Sequence, residues 1–125
     1  MGQVIPSMKS VLIVEDEVLI RLEVVDFFED AGYEVHEAGG ADEAIKLLTR
    51  YPHIGVVITD VQMPGSMDGL RLSHYIRDRY PPVLLAIVSG HANLGEGDLP
   101  TNCFFMSKPF DLKRMLRKIE GPALD

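Results

Sequence analysis

Four short apolar runs in this chain each stop at an ionisable or hydroxyl residue. Val11-Leu12-Ile13-Val14 meets Glu15-Asp16, and Val56-Val57-Ile58-Thr59 meets Asp60. Val83 to Val88 meets Ser89, and Cys103 to Ser107 meets Lys108-Pro109. Runs this short and continuous, separated by stretches with helical spacing, read as strands buried on both faces of a parallel sheet. Ligands of such sheets bind beyond the carboxyl ends of the strands. One sheet edge should therefore collect three carboxylates, a hydroxyl and an ammonium, a set able to hold a divalent cation and a phosphoryl group together.

The segments between the runs complete an alternating pattern. Residues 1–9 contain Gly2, Pro6 and Ser7 and read as a loose lead-in to the first strand. Val18 to Ala31 has helical spacing, with Leu22, Val25 and Phe28 on one face, Leu19 and Val18 alongside, and Gly32 as a stop. Tyr33 to Ala38 alternates as a strand, and Ala41 to Arg50 is helical, with Asp42 and Glu43 suiting its N-terminal dipole. Met63 to Gly69 is a loop by its Pro and Gly content, Leu70 to Arg79 a third helix, and Asp111 a cap for a last helix from Leu112 to about Glu120. Strand and helix alternate, and right-handed crossovers then place helices on both faces. The expected fold is α/β: a single, doubly wound (βα)5 flavodoxin-like domain over residues 8–121, with a five-stranded parallel sheet. Residues 1–7 and 122–125 are expected to be flexible ends.

A chain of 125 residues can bury a core without disulfides. Its formal charge of −7, with no offsetting basic cluster, argues against general binding to nucleic acid. Lys113, Arg114, Arg117 and Lys118 read as a solvated helix face near a C-terminus. Cys103 lies in an apolar run and reads as a reduced core thiol. No apolar stretch has the length of a membrane span and no signal segment opens the chain, so a cytoplasmic, non-membrane protein is the expectation.

Asp60 is the pivot of the chemistry. An aspartate at the end of a buried strand can attack phosphorus and form an acyl phosphate. Its charge repels an anionic donor, so a cation is needed, and oxygens from Glu15, Asp16 and Asp60 suit Mg²⁺. Lys108 can supply an amine to a non-bridging oxygen, and Ser89 a hydroxyl.

Taken together, Val11 to Glu17, Asp60-Val61-Gln62-Met63-Pro64 with Asp68-Gly69-Leu70, Val88-Ser89-Gly90 and Ser107-Lys108-Pro109-Phe110 resemble the receiver domain of two-component response regulators. The resemblance extends from about Lys9 to Ile119. It implies that Asp60 is the phospho-acceptor, that Glu15 and Asp16 position Mg²⁺, and that the backbone carbonyl of Gln62 completes the metal site. It implies further that Ser89 is the phosphate-sensing hydroxyl, Lys108 the phosphate-contacting lysine and Phe105 the switch aromatic. The implied partners are a histidine kinase or histidine phosphotransfer protein and an unidentified downstream protein, with a second copy of the chain as a further candidate. The implied role is a binding switch, not an enzyme. A phosphate sink and a receiver piece of a larger regulator or hybrid kinase are the alternatives.

Two departures from the family stand out. The loop after Asp60 carries one extra residue within Gly65-Ser66-Met67, which costs little in closure entropy. Between Ser89 and Lys108 the chain is several residues short and interrupted by Gly95, Gly97 and Pro100. Those residues oppose a helix, so 91–102 is expected to be a turn-rich loop or one short helical turn, leaving the fourth helix short or absent. His91 could influence the access of water to an acyl phosphate. His36, His53 and His74 show no ligand spacing. A Mg²⁺-dependent aspartyl phosphatase would want a second Asp at the position of Gln62, and flavodoxin a phosphate loop where Glu15-Asp16-Glu17 stands.

Overall fold

The apolar runs pair side by side. In the computed structural model, which describes residues 5–63, 65, 67–90 and 96–121, five parallel strands form one sheet in the order β2-β1-β3-β4-β5. They are β1 (Ser7–Val14), β2 (Glu34–Ala38), β3 (Ile54–Asp60), β4 (Leu84–Ser89) and β5 (Cys103–Ser107). Every residue of β3 is buried, as the central strand of a sheet covered on both faces requires. Among the described residues, four α-helices accompany them: α1 (Val18–Asp30), α2 (Ala41–Arg50), α3 (Gly69–Arg79) and α4 (Leu112–Glu120).

Alternation along the strands divides the core in two. Val11, Ile13, Val56 and Ile58 face Val24, Val25 and Phe28 of α1 and Met115 and Ile119 of α4. Leu12, Val14 and Val57 face Ala44 and Leu48 of α2 and Leu72 and Ile76 of α3. The fold is thus the doubly wound, flavodoxin-like architecture of the sequence reading. The chain leaves β1 for β2 on one side and returns to β3 on the other, so the topology switches between β1 and β3. That is where a crevice opens at the strand ends.

Three expectations are corrected. The first strand begins at Ser7, inside the stretch read as a lead-in, because the Ser7 N–H donates to the His53 carbonyl at 2.8 Å and Ser7 registers with Ile54 before an irregularity that ends at Val11. Gly55 makes this approach feasible, since a Cβ there would lie 2.3 Å from the Ser7 carbonyl oxygen. On α1, Val25 and Phe28 are buried as expected, but Leu19 is 83% exposed and Val18 and Leu22 are also exposed. The sheet-facing positions go instead to Val24, Val25 and Phe28. The histidines correct a third reading, described below.

Between β4 and β5, the described residues hold one 3-10 turn, Glu96–Asp98, and no α-helix. Residues 91–95, His91 among them, lie outside the described residues, as do 1–4 and 122–125 of the expected flexible ends. The end of this connection is tied down by α3. The Arg77 guanidinium donates to five backbone carbonyls: Thr101 at 2.7 Å, Tyr80 at 3.3 Å, Pro81 at 2.7 Å, Val83 at 2.6 Å and Asn102 at 3.1 Å. His74 meets the Asp98 carbonyl at 2.9 Å, and the Asn102 side-chain amide donates to Val83 at 3.1 Å. Asn102 takes a left-handed backbone, φ 52°, which asparagine tolerates.

Candidate functional site

Glu15 and Asp16 follow β1 immediately, Asp60 ends β3, Ser89 ends β4 and Lys108 follows β5. Parallel pairing in register therefore brings all of them to one edge. Val14 sits beside Thr59, Asp60 beside Val88, and Ser89 beside Ser107. The last rung of the β4–β5 ladder is the Lys108 N–H to the Ser89 carbonyl, 2.8 Å.

Asp60 is held from several sides. Its Oδ1 accepts the Gln62 N–H at 3.1 Å, a local turn that fixes the carboxylate's orientation. Its Oδ2 accepts the Lys108 ammonium at 2.5 Å. Behind it, Gly69 opens α3 so close that a Cβ would fall 1.8 Å from the Asp60 carbonyl oxygen, while the Gly69 N–H donates to Val61 at 2.8 Å. Asp68 caps the same helix through the Arg71 N–H at 2.9 Å. The Asp-Gly pair is therefore a steric and capping device that seats α3 directly against the end of β3.

Glu15 is as deeply placed as Asp60, at 4% and 6% exposure. It accepts Lys108 Nζ at 3.0 Å through Oε1 and the Glu17 N–H at 3.1 Å through Oε2. Arg21, which the sequence reading did not single out, donates to the Glu15 carbonyl at 2.8 Å and pairs with Glu37 at 2.9 Å. Burial pushes the Glu15 carboxyl above its usual range, and the Asp60 charge adds to this against the Glu17 and Lys108 hydrogen bonds. For Lys108, burial alone would lower the pKa, but the hydrogen bonds to Asp60 and Glu15 outweigh it and carry the amine above its ordinary value. Lys108 is therefore a fixed cation at neutral pH.

Carboxylate oxygens of Glu15, Asp16 and Asp60 lie within 4.8 Å of one another. Three carboxylates against one ammonium leave two negative charges, and all the donors are hard oxygens. That set fits a small, hard divalent cation. Ser89 is buried at the neighbouring strand end. Phe105 is half-buried in β5, on the sheet face opposite Phe104 and Met106, which pack into the α1–α4 core. Gln62 is exposed two residues after Asp60. Every residue of the expected site is thus at this edge apart from Phe105, which stands three residues before Lys108 along β5.

Two of the histidines read as scattered in fact converge. His36 Nε2 and His53 Nε2 approach the same Glu34 Oε2 at 2.7 and 2.6 Å. Sequence spacing conceals this, because pairing of β2 and β3 with the intervening β1 brings them together. Hydrogen bonds from His36 and His53, with a smaller one from Ser10, hold the Glu34 carboxyl at about 2.

A family model for the response regulator receiver domain matches residues 11–120. The sensor kinase CckA of Brucella abortus is 34% identical over 115 residues, covering 89% of this chain and 12% of that protein. The response regulator receiver protein CpdR of the same organism is 30% identical over 116 residues, covering 90% of this chain and 95% of that one. The crystal structure of the receiver domain of NtrX from Brucella abortus is 31% identical with a TM-score of 0.78, covering 88% and 94% of the two chains. Against several curated relatives the chain spans only an eighth to a fifth of their length.

Proposed function

This chain belongs to the response regulator receiver domain family, and on that premise we propose that it is a phosphorylation-controlled binding switch acting through Asp60. The donor would be the phosphohistidine of a histidine kinase or phosphotransfer protein, and the reader a downstream protein or a second copy of the chain. The observation that carries this reading is the Lys108 ammonium, bonded to both Asp60 and Glu15 in a pocket of three carboxylates.

Asp60 presents an oxygen to the phosphorus of the donor. The O–P bond forms as the donor's N–P bond breaks, and the imidazole nitrogen keeps the electron pair. The Gln62 N–H fixes the carboxylate meanwhile, and Lys108 is placed to follow the charge onto a phosphoryl oxygen. Glu15, Asp16 and Asp60, with the Gln62 carbonyl, would hold Mg²⁺, which when bound supplies positive charge beside the phosphoryl oxygens. Ser89 would donate its hydroxyl to the phosphoryl group, and Phe105 would report that contact by turning inward. The phosphoryl group shifts the population only by its different interaction with the two arrangements. Gln62 offers no general acid two residues past the acceptor, which favours a switch over a turnover phosphatase.

A docking surface for the donor is suggested beside the pocket. Val18, Leu19 and Leu22 are exposed where α1 leaves Glu15-Asp16. A groove of about 420 Å³ runs between Ile20 and Val24 of α1 and Phe110 and Leu112, with Lys108 at its wall. Among the described residues no helix is long and apolar enough to cross a membrane. A cytoplasmic setting, where kinase donors and Mg²⁺ are available, is part of the proposal.

The test is intact-mass measurement after incubation with Mg²⁺ and acetyl phosphate. One phosphoryl group should be gained by the wild type and none by Asp60→Asn. Equal gain in both proteins would overturn the assignment of the acceptor. No gain with acetyl phosphate or any kinase would overturn the switch.

A further inference from the structure

At the opposite end of the sheet from Asp60, Glu34, His36 and His53 form a second cluster of ligand-type side chains. Both imidazole Nε2 atoms aim at one carboxylate oxygen, and the ligand atoms of the three residues lie within 4.8 Å of one another. We propose that these three residues bind one borderline divalent cation of the Zn²⁺ class, at a site separate from the strand-end carboxylates.

The rings are already oriented for such a role. His36 stacks on Tyr51 with centroids 4.3 Å apart and planes 28° apart, and His53 stands edge-on to the same tyrosine. Ser10 donates to Glu34 Oε2 at 2.9 Å, the kind of outer hydrogen bond that steadies a metal-binding carboxylate. The backbones are fixed too. Glu34 and His36 belong to β2, in register with Ser10 and Leu12, and the His53 carbonyl is tied to the Ser7 N–H.

Ligand chemistry selects the cation. Two imidazole nitrogens and one carboxylate suit Zn²⁺ and its borderline neighbours, and disfavour Mg²⁺, which seeks oxygen. Neutral imidazoles and one carboxylate leave the bound Zn²⁺ with a single positive charge and at least one position for water. Glu34 lies four strand residues before Ala38, which places the cluster roughly 13 Å below the level of the acidic pocket. The two sites can therefore be loaded separately.

The experiment is calorimetric titration of the tag-free full chain with Zn²⁺ in excess Mg²⁺, which keeps the acidic pocket supplied with its preferred ion. One equivalent should bind. His36→Gln and His53→Gln should each weaken binding by more than ~100-fold, the upper end of what loss of an outer-sphere contact causes, while Asp16→Asn should bind as the wild type does. Absence of binding, equal binding by the histidine variants, or loss on Asp16→Asn alone would overturn the site. If a variant does not fold, proton NMR of the wild type decides. Zn²⁺ should shift the ring resonances of His36 and His53 and spare His74, which meets Asp98 elsewhere. Shifts absent, or confined to His74, would overturn the proposal.

Discussion

Gly69→Ala sets two forces against each other, and the structure decides which one wins. At the first position of α3, alanine should help, since Gly is worse than Ala in a helix by up to ~1 kcal/mol. Yet the added Cβ would lie 1.8 Å from the Asp60 carbonyl oxygen, 2.6 Å from its carbon and 2.9 Å from the Val61 Cα. All three are backbone atoms, so no side chain can swing aside. Relief even to 3.0 Å needs a displacement of about 1.2 Å between α3 and the end of β3. Overpacking of a buried site costs typically 1–3 kcal/mol, and a rigid backbone contact belongs at the top of that range. A net loss of about 2–3 kcal/mol is expected. With an unfolding entropy of roughly 0.26 kcal/mol/K for 125 residues, Tm should fall by about 8–11 °C. Thermal and urea unfolding followed by circular dichroism measure this, with Gly97→Ala as the control, since a Cβ there meets nothing within 4 Å. Because the displaced atoms belong to Asp60, phosphorylation by acetyl phosphate should also slow at temperatures where the variant is folded. A Gly69→Ala protein as stable as the wild type would refute the steric account of the Asp-Gly pair.

Further outcomes follow from other contacts. Leu19→Ser should reduce phosphoryl transfer from a protein donor and leave transfer from acetyl phosphate unchanged, since Leu19 is exposed and touches no core; equal transfer from the protein donor would remove α1 from the docking surface. Arg77→Ala should cost about 2–4 kcal/mol in chemical denaturation, because five carbonyls lose a charged donor at once. Arg77→Lys should recover less than half of that loss, as an ammonium cannot fork; full recovery would show that charge alone matters. Burial pushes the Cys103 thiol from 9.0 up to about 11, against a smaller opposing effect of Arg77. The folded pKa is raised, so this contribution to stability is complete below pH 9 and is lost as pH climbs through about 11. Alkylation of Cys103 at pH 8 should accordingly run ~100-fold slower than in urea, and equal rates would contradict the burial.

The strand ends were legible because each buried run stops at a residue whose type is costly to bury without a purpose. Glu15, Asp60, Ser89 and Lys108 were found that way, and the alternation of elements then fixed the sheet. The shortened 91–102 connection was legible in Gly95, Gly97 and Pro100, and residues 96–102 carry a single 3-10 turn. Helix α1 was misread because apolar residues surround it, so spacing alone could not choose between Leu19 or Leu22 and Val24. Arg77 left no signal, since its acceptors are backbone carbonyls that any residue supplies. The convergence of Glu34, His36 and His53 exists only once β1 has been laid between β2 and β3.

The rung joining the Lys108 N–H to the Ser89 carbonyl has a consequence for how such a chain can diverge. It closes the ladder at the pocket itself, so the hydroxyl and the ammonium share one frame whatever the chain does between them. Residues can be deleted from the connection, or a helix given up, without altering the spacing of Ser89 and Lys108 at the strand ends. Arg77 provides the matching anchor where the connection enters β5. The pocket and the connection from β4 to β5 are in this sense separate modules joined at two fixed points. Selection can rewrite the second while the first keeps its dimensions.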